Sequence, residues 1–334
     1  MLEPLIRKAR DLDKFSIARL ISHFEDARPE AAETRDTIIT ELTAALERDG
    51  REPARILGIT GTPGAGKSTL VGALAGRMMN ASGAGGASRG VAVLAVDPSS
   101  QVSGGSLLGD RTRVRFPLDE KRLFFRSQAS DRELGGLGRY TFQVIRLLRL
   151  LFDYIFVETV GIGQSEIEIQ HLGDRIYLVM QPLGGDQVQF MKAGIMEIPD
   201  AVIMNKADEE AAASKSFHAL QASLAFARPD AEDIPLFKTS ATTGLGLDEL
   251  LADMRALEHP PSFAEKEAYF FRKWVRDEYG RSGLAYLKEL TTTAAESDGN
   301  AKTPFPERVG SFDRAQIEFE TGYQVSMAGS VVRS

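Results

Sequence analysis

The chain has 334 residues, 43% hydrophobic and 26% charged, which supports a packed core in one large or two ordinary domains. Forty Lys plus Arg against 47 Asp plus Glu leave a net charge of -7, so a nucleic-acid or anionic-membrane partner is not expected. Cysteine is absent, which excludes disulfides, a thiolate nucleophile and sulfur ligands for zinc or iron–sulfur clusters.

Near the start, Leu5, Ile6, Ala9, Leu12, Ile17, Leu20, Ile21 and Phe24 recur at steps of three and four between charges, the pattern of amphipathic helices. The opening MLEPLIRKARDLDKF mixes both charge signs, unlike a secretory leader, and no apolar run approaches the roughly eighteen residues of a membrane span. A cytoplasmic location is the expectation. A second helical stretch, from Glu30 to Glu47, ends at Asp49-Gly50, and residues 1–53 read as an N-terminal helical extension.

Short apolar runs then alternate with helical segments: RILGIT, GVAVLAVD, RLFFRS, DYIFVET, RIYLVM, DAVIMN and PLFKTS. This pattern predicts an α/β fold with a mostly parallel sheet of about seven strands, flanked by helices on both faces. Two interruptions stand out. NASGAGGASRG (80–90) has the composition of a flexible loop, and 98–117 is an aperiodic connection of a length found in functional or disordered loops. The sheet domain is expected over 54–258. Residues 259–334 form a C-terminal arm, helical from 262 to 290 and mixed afterwards, with a polar stretch at 291–304 expected to be mobile.

RILGIT runs straight into GTPGAGKST, which matches G-x-x-x-x-G-K-[ST] and is followed by an apolar helix. Gly61, Thr62, Pro63, Gly64, Ala65 and Gly66 form a loop whose amides can face phosphate oxygens. Lys67 carries the compensating charge, while Ser68 and Thr69 open the helix, whose positive end adds to the attraction. These features predict a P-loop NTPase with Ser68 as a Mg²⁺ ligand.

Base choice is written at Asn205-Lys206-Ala207-Asp208. The Asp208 carboxylate can accept from N1–H and the 2-amino group of guanine, whereas adenine offers an acceptor at N1. A mismatch of this kind discriminates by about 10⁴. Lys206 would cover the base with its aliphatic stem and Asn205 would brace the loop, while the backbone of Ser240-Ala241-Thr242 meets the guanine carbonyl. Asp97 ends the second strand, Asp110 lies in GGSLLGDRTRV, and Glu158 ends DYIFVET three residues before Gly161. These carboxylates are candidates for the metal and attacking water, and the Gly161 amide for sensing a γ-phosphate.

GTPGAGKST, AVDPSSQVSGGSLLGDRTR, FVETVGIGQSE, GGDQVQFMKAGIMEIPD and NKAD together resemble the MeaB/ArgK-type P-loop GTPases, chaperones of adenosylcobalamin-dependent acyl-CoA mutases of the methylmalonyl-CoA type. The resemblance is close over about 54–255. It implies GTP hydrolysis that gates cofactor loading and protects or reactivates a mutase, with the cobalamin bound by the mutase and not by this chain. Ser68, Asp97, Asp110 and Glu158 then form the Mg²⁺ and water neighbourhood, and Gly161 to Glu166 the second switch. Asp186 to Lys192 form a further switch, from which Lys192 can bring positive charge to the transition state, and Gln164 goes with a slow basal rate stimulated by the mutase. The resemblance also implies a homodimer built on the terminal helices. Two departures are Ala193, where relatives often carry a second lysine, and SATTGLG, which replaces a more polar segment. Whether Arg111, Arg113 or Arg139 donates charge in cis or across a dimer stays open.

Two rival functions are weaker. A nickel-inserting GTPase needs His or Cys ligands, but His23, His171, His218 and His259 are scattered singly. An ATP-dependent kinase coupled to basic amino-acid transport conflicts with the guanine-selecting NKAD.

Overall fold

The computed structural model describes residues 2–80, 90–97, 120–129, 137–138, 140–159, 168–182, 199–208, 210–227, 234–258, 263–298 and 303–331. The chain opens with α1 (Leu2–Arg10), α2 (Lys14–Phe24) and α3 (Glu30–Arg48). Leu12 takes a left-handed φ of 59° in the turn between α1 and α2. The Asp13 carboxylate then caps α2 by accepting from the Ser16 amide at 2.8 Å and its hydroxyl at 2.6 Å.

The sheet elements follow as β1 (Arg55–Gly61), α4 (Lys67–Asn80), β2 (Val91–Asp97), β3 (Leu123–Ala129), α5 (Thr141–Leu148), β4 (Tyr154–Thr159) and β5 (Arg175–Met180). Next come β6 (Ala201–Met204), α6 (Glu210–Ala227), β7 (Leu236–Lys238) and α7 (Leu247–Ala256). Seven strands form one sheet in the order β3-β2-β4-β1-β5-β6-β7, and every pairing is parallel. The expected seven-stranded parallel sheet is therefore present.

The strands are apolar throughout because both faces are covered. On one face Leu57, Ile59, Val93, Phe156, Tyr177 and Val179 pack with α4 and α7. On the other, the alternate residues Ile56, Leu94, Ile155, Val157 and Ile176 share a core with Ile17, Leu20 and Phe24 of α2, with α5, and with Phe271, Phe312 and Phe319 near the C-terminus. The first and last helices thus cover a single sheet face together.

The last part of the chain is more helical than expected. α8 (Ala264–Asp298) continues through 291–298, broken only at Gly280 (φ 58°, ψ -145°), and α9 (Phe305–Val309) and α10 (Phe312–Val331) follow. The mixed reading of 291–334 is thereby corrected. Its error was to weigh polarity over the periodicity of aromatic residues: Phe319 is fully buried, with Trp274, Tyr279, Tyr286 and Tyr323 around it at ring distances of 5.3–5.8 Å. Most of the 80–90 loop and all of 98–117 lie outside the described residues, as do 299–302. Among the described residues no helix is long and apolar enough to cross a membrane.

α3, α5, α8 and α10 are joined by buried charge. Asp313, with no exposed surface, accepts from Arg35 Nε and from an Arg146 terminal nitrogen, each at 2.7 Å. Arg35 also donates to Gln316 at 2.9 Å, and Arg146 donates to Gln143 at 2.8 Å and Glu267 at 3.4 Å. Burial works against the Arg146 charge, but the adjoining carboxylates of Asp313 and Glu267 outweigh it and keep its pKa above the ordinary arginine value.

Candidate functional site

β1 is central, flanked by β4 and β5, so the loop after it opens at the carboxyl edge where parallel sheets gather ligands. Gly61 has φ 137°, and a Cβ there would stand 2.0 Å from the Val179 carbonyl oxygen of β5. Only glycine allows β1 to turn into the loop so close to its neighbour. Thr62 and Ala65 are buried, while Pro63 and Gly64 are exposed at the tip. The buried Lys67 ammonium donates to the carbonyls of Gly61 (2.8 Å) and Thr62 (3.0 Å) and so closes the loop on itself.

Ser68 sits in the first turn of α4, and its hydroxyl donates to Glu158 Oε1 at 2.6 Å. Glu158 arrives from β4, where it pairs in register with Ile59 of β1 and Ala95 of β2. One residue on, the hydroxyls of Thr159 and Thr60 bond at 3.0 Å and tie the same two strands. Ser68 and Glu158 present hard oxygen donors beside the phosphate loop, and among the described residues no group of three or more His, Asp or Glu is gathered. These two hard oxygen ligands fit Mg²⁺, which takes few protein ligands and keeps several waters beside phosphate oxygens. Asp97 ends β2 next to β4 in the sheet. Asp110, Gly161, Gln164 and Lys192 lie outside the described residues, as do Arg111, Arg113 and Arg139.

The base-selecting loops converge on the same edge through Asn205, which is 1% exposed. Its amide nitrogen donates to the Ala65 carbonyl at 2.9 Å, and its amide oxygen accepts from the Ala241 amide at 3.2 Å and the Thr239 hydroxyl at 3.3 Å. One side chain thus binds the phosphate loop to the loop after β7. Gly66 (φ 84°) is confined by this contact, since a Cβ would meet the Asn205 nitrogen at 2.8 Å. Lys206 holds a left-handed φ of 59°, sparsely populated for a non-glycine residue and a conformation that clusters at functional sites. That turn leaves Lys206 and Asp208 exposed while Asn205 and Ala207 are buried. Lys206 Nζ donates to Gln181 at 3.1 Å, and Asp208 accepts a hydrogen bond from the buried Ser240 hydroxyl. Ala241 is half-buried and Thr242 exposed beside them, and Thr69 is exposed on α4.

One further carboxylate was missed. Glu168 accepts from the Leu137 amide and pairs with Lys273 of α8. Its nearness to VETVGIGQSE was the available signal, but its partner lies far along the chain with no motif around it.

The family signature described as "Methylmalonyl Co-A mutase-associated GTPase MeaB" matches residues 17–269. PH0274 of Pyrococcus horikoshii, which carries a GTPase name, is 38% identical over 274 residues, covering 79% of this chain and 81% of that protein. The mouse protein named methylmalonic aciduria type A homolog, mitochondrial, is 34% identical over 233 residues, 66% of this chain and 55% of its own length. A crystal structure titled LAO/AO transport system kinase superposes with a TM-score of 0.59 over 97% of both chains at 23% identity, a likeness of fold.

Proposed function

The chain belongs to the MeaB family of P-loop GTPases, and from that premise we propose that it is a Mg²⁺-dependent chaperone of an adenosylcobalamin-dependent acyl-CoA mutase of the methylmalonyl-CoA type. On this reading GTP hydrolysis gates cofactor loading and reactivation, and the cobalamin stays on the mutase. The observation that carries the nucleotide half is the Asn205 bridge, which ties the phosphate loop to the Ser240-Ala241-Thr242 loop so that phosphate and base can be held by one frame.

The backbone N–H groups between Gly61 and Ser68, Pro63 excepted because it carries none, bind the β- and γ-phosphates, and Lys67 exchanges its two carbonyl partners for phosphate oxygens. Ser68 and Glu158 would hold the Mg²⁺, with Asp97 and Asp110 as its further candidate partners. The ion supplies charge neutralisation on the phosphates when bound. Asp208 selects guanine, Lys206 covers the base, and the Ala241 amide meets its carbonyl. Gly161 senses the γ-phosphate, Gln164 lies in the switch that handles the water, and Lys192 brings charge when the mutase engages. The terminal helices, residues 1–53 and 259–334, serve a homodimer and the mutase contact around the GTPase domain of 54–258.

The test is GTP turnover by the full chain with Mg²⁺, with and without a methylmalonyl-CoA-type mutase. Stimulation is expected, and equal turnover would remove the chaperone role while leaving the GTPase. Titration calorimetry with GTP and ATP separates the rivals, because tighter ATP binding would favour a transport-linked kinase. Asp208→Ala should reduce GTP affinity by about 10²-fold or more while leaving ATP binding little changed.

A further inference from the structure

The N-terminal half of α8 runs alongside the segment 168–174, which begins two residues beyond Glu166, the end of the proposed second switch. Three rungs join them. At the end of the segment near β5, Lys266 Nζ donates to the Gly173 carbonyl at 2.6 Å and pairs with Asp174 at 3.3 Å. Asp174 is itself fixed, because its carboxylate accepts from the Ile56 amide at the start of β1 at 2.7 Å. In the middle the His171 ring stacks on Tyr269 at 3.7 Å. At the end near the switch, Lys273 Nζ pairs with Glu168 Oε1 at 2.9 Å, while Glu168 Oε2 accepts from the Leu137 amide at 2.7 Å.

These rungs differ in what they can report. The Lys266 rung is anchored to the central strand at the edge of the sheet away from the phosphate loop, so it is a fixed point. Among the described residues Glu168 has no such anchor in a strand: its carboxylate is shared between Lys273 of α8 and the Leu137 amide. A displacement of the switch that shifts Glu168 must therefore move Lys273 or break its pair, leaving Lys273 to Asp277, its second carboxylate at 3.5 Å on the same helix. The side chains of Glu168 and Lys273 are only 15% and 16% exposed, so water replaces the lost contact poorly. Burial opposes the Lys273 charge, but the hydrogen bond and charge of Glu168 outweigh that and raise its pKa above the ordinary lysine value.

We infer that Glu168 and Lys273 are positioning residues that transmit the nucleotide state of the switch to the C-terminal arm at the Lys273 turn of α8. The inference rests on the proposed reading of Gly161 to Glu166 as a switch. It goes beyond that reading by naming the contact through which the arm, and a partner on it, would feel the γ-phosphate.

The chain carries its own reporter, since Trp274 is the single tryptophan and directly follows Lys273. The experiment compares Trp274 emission of the full chain with Mg²⁺-GDP and with a Mg²⁺-bound non-hydrolysable GTP analogue, alongside calorimetric affinities. The parent should show different emission in the two states. Lys273→Met and Glu168→Gln should lose the difference while retaining affinity for both nucleotides, and Lys273→Arg should restore it. Lys266→Met, at the fixed rung, should keep it, which separates transmission from general loosening of α8. Identical parent emission in the two states, persistence of the difference in Lys273→Met, or its equal loss in Lys266→Met would each overturn the inference. A chain whose calorimetry shows no nucleotide heat would instead remove the site reading beneath it.

Discussion

At the phosphate loop the Lys67 ammonium is held by two backbone carbonyls only six and five residues away. Behind the sheet, Arg35 and Arg146 converge on Asp313 across separations of 278 and 167 residues. Both regions bury cations, but the Lys67 contacts can be traded for phosphate oxygens one at a time. The Asp313 contacts are traded far less easily, because the other carboxylate on Arg146, Glu267, stands further off at 3.4 Å. One region is built to exchange partners and the other to resist exchange, and their mutational responses should differ accordingly.

The largest effect should come from the second region. Asp313→Ala leaves two guanidiniums short of their carboxylate in the interior, and a loss of about 3–5 kcal/mol is expected for removing one partner of a buried pair. Urea unfolding followed by circular dichroism measures it, and a midpoint near the parent's would mean that water reaches the network. Gly66→Ala probes the first region. Its Cβ would press on the Asn205 amide from a positive φ, and strain of about 1–3 kcal/mol should lower the urea midpoint by less than Asp313→Ala does and weaken nucleotide binding as well. Calorimetry checks the affinity, and a stability loss as large as that of Asp313→Ala would erase the contrast.

The smallest effect is expected at the start of α2. Asp13→Ala removes the cap and should cost about 1 kcal/mol. The side-chain and backbone hydrogen bonds from Ser16 hold the Asp13 carboxyl below the usual carboxylate range. A depressed folded-state pKa means that this contribution is present above the unfolded value of about 4 and is lost as pH falls through the lower folded value. Thermal melts should therefore show the gap between variant and parent at neutral pH narrowing in acid.

The same contrast explains what could be read from sequence. GTPGAGKST was legible because its parts lie within one turn of chain and each residue type has one physical job. The seven strands were legible because residues such as Ile155, Phe156 and Val157 form unbroken apolar runs. Ser68 and Glu158 were each picked out singly, though the contact between them had to come from the register of β1 with β4. Arg35, Arg146 and Asp313 were invisible: each looks like an ordinary charge on an amphipathic helix, and nothing local marks it as buried. Glu168 and Lys273 were hidden for the same reason. The C-terminal helices were under-read because polar residues at 291–304 obscured the aromatic spacing on either side.

The Arg35–Asp313 contact also bears on how the molecule comes into being. During synthesis at about 5–20 residues per second, the guanidinium of α3 emerges on the order of tens of seconds before the carboxylate that neutralises it. Until then the guanidinium has the His23 and Asp26 carbonyls but no carboxylate of α10, so one flank of the sheet stays unfinished. The final helix then acts as a closing stitch, and a nascent chain stalled before Asp313 would expose Phe24, Ile38 and Phe142 to whatever chaperone attends the ribosome.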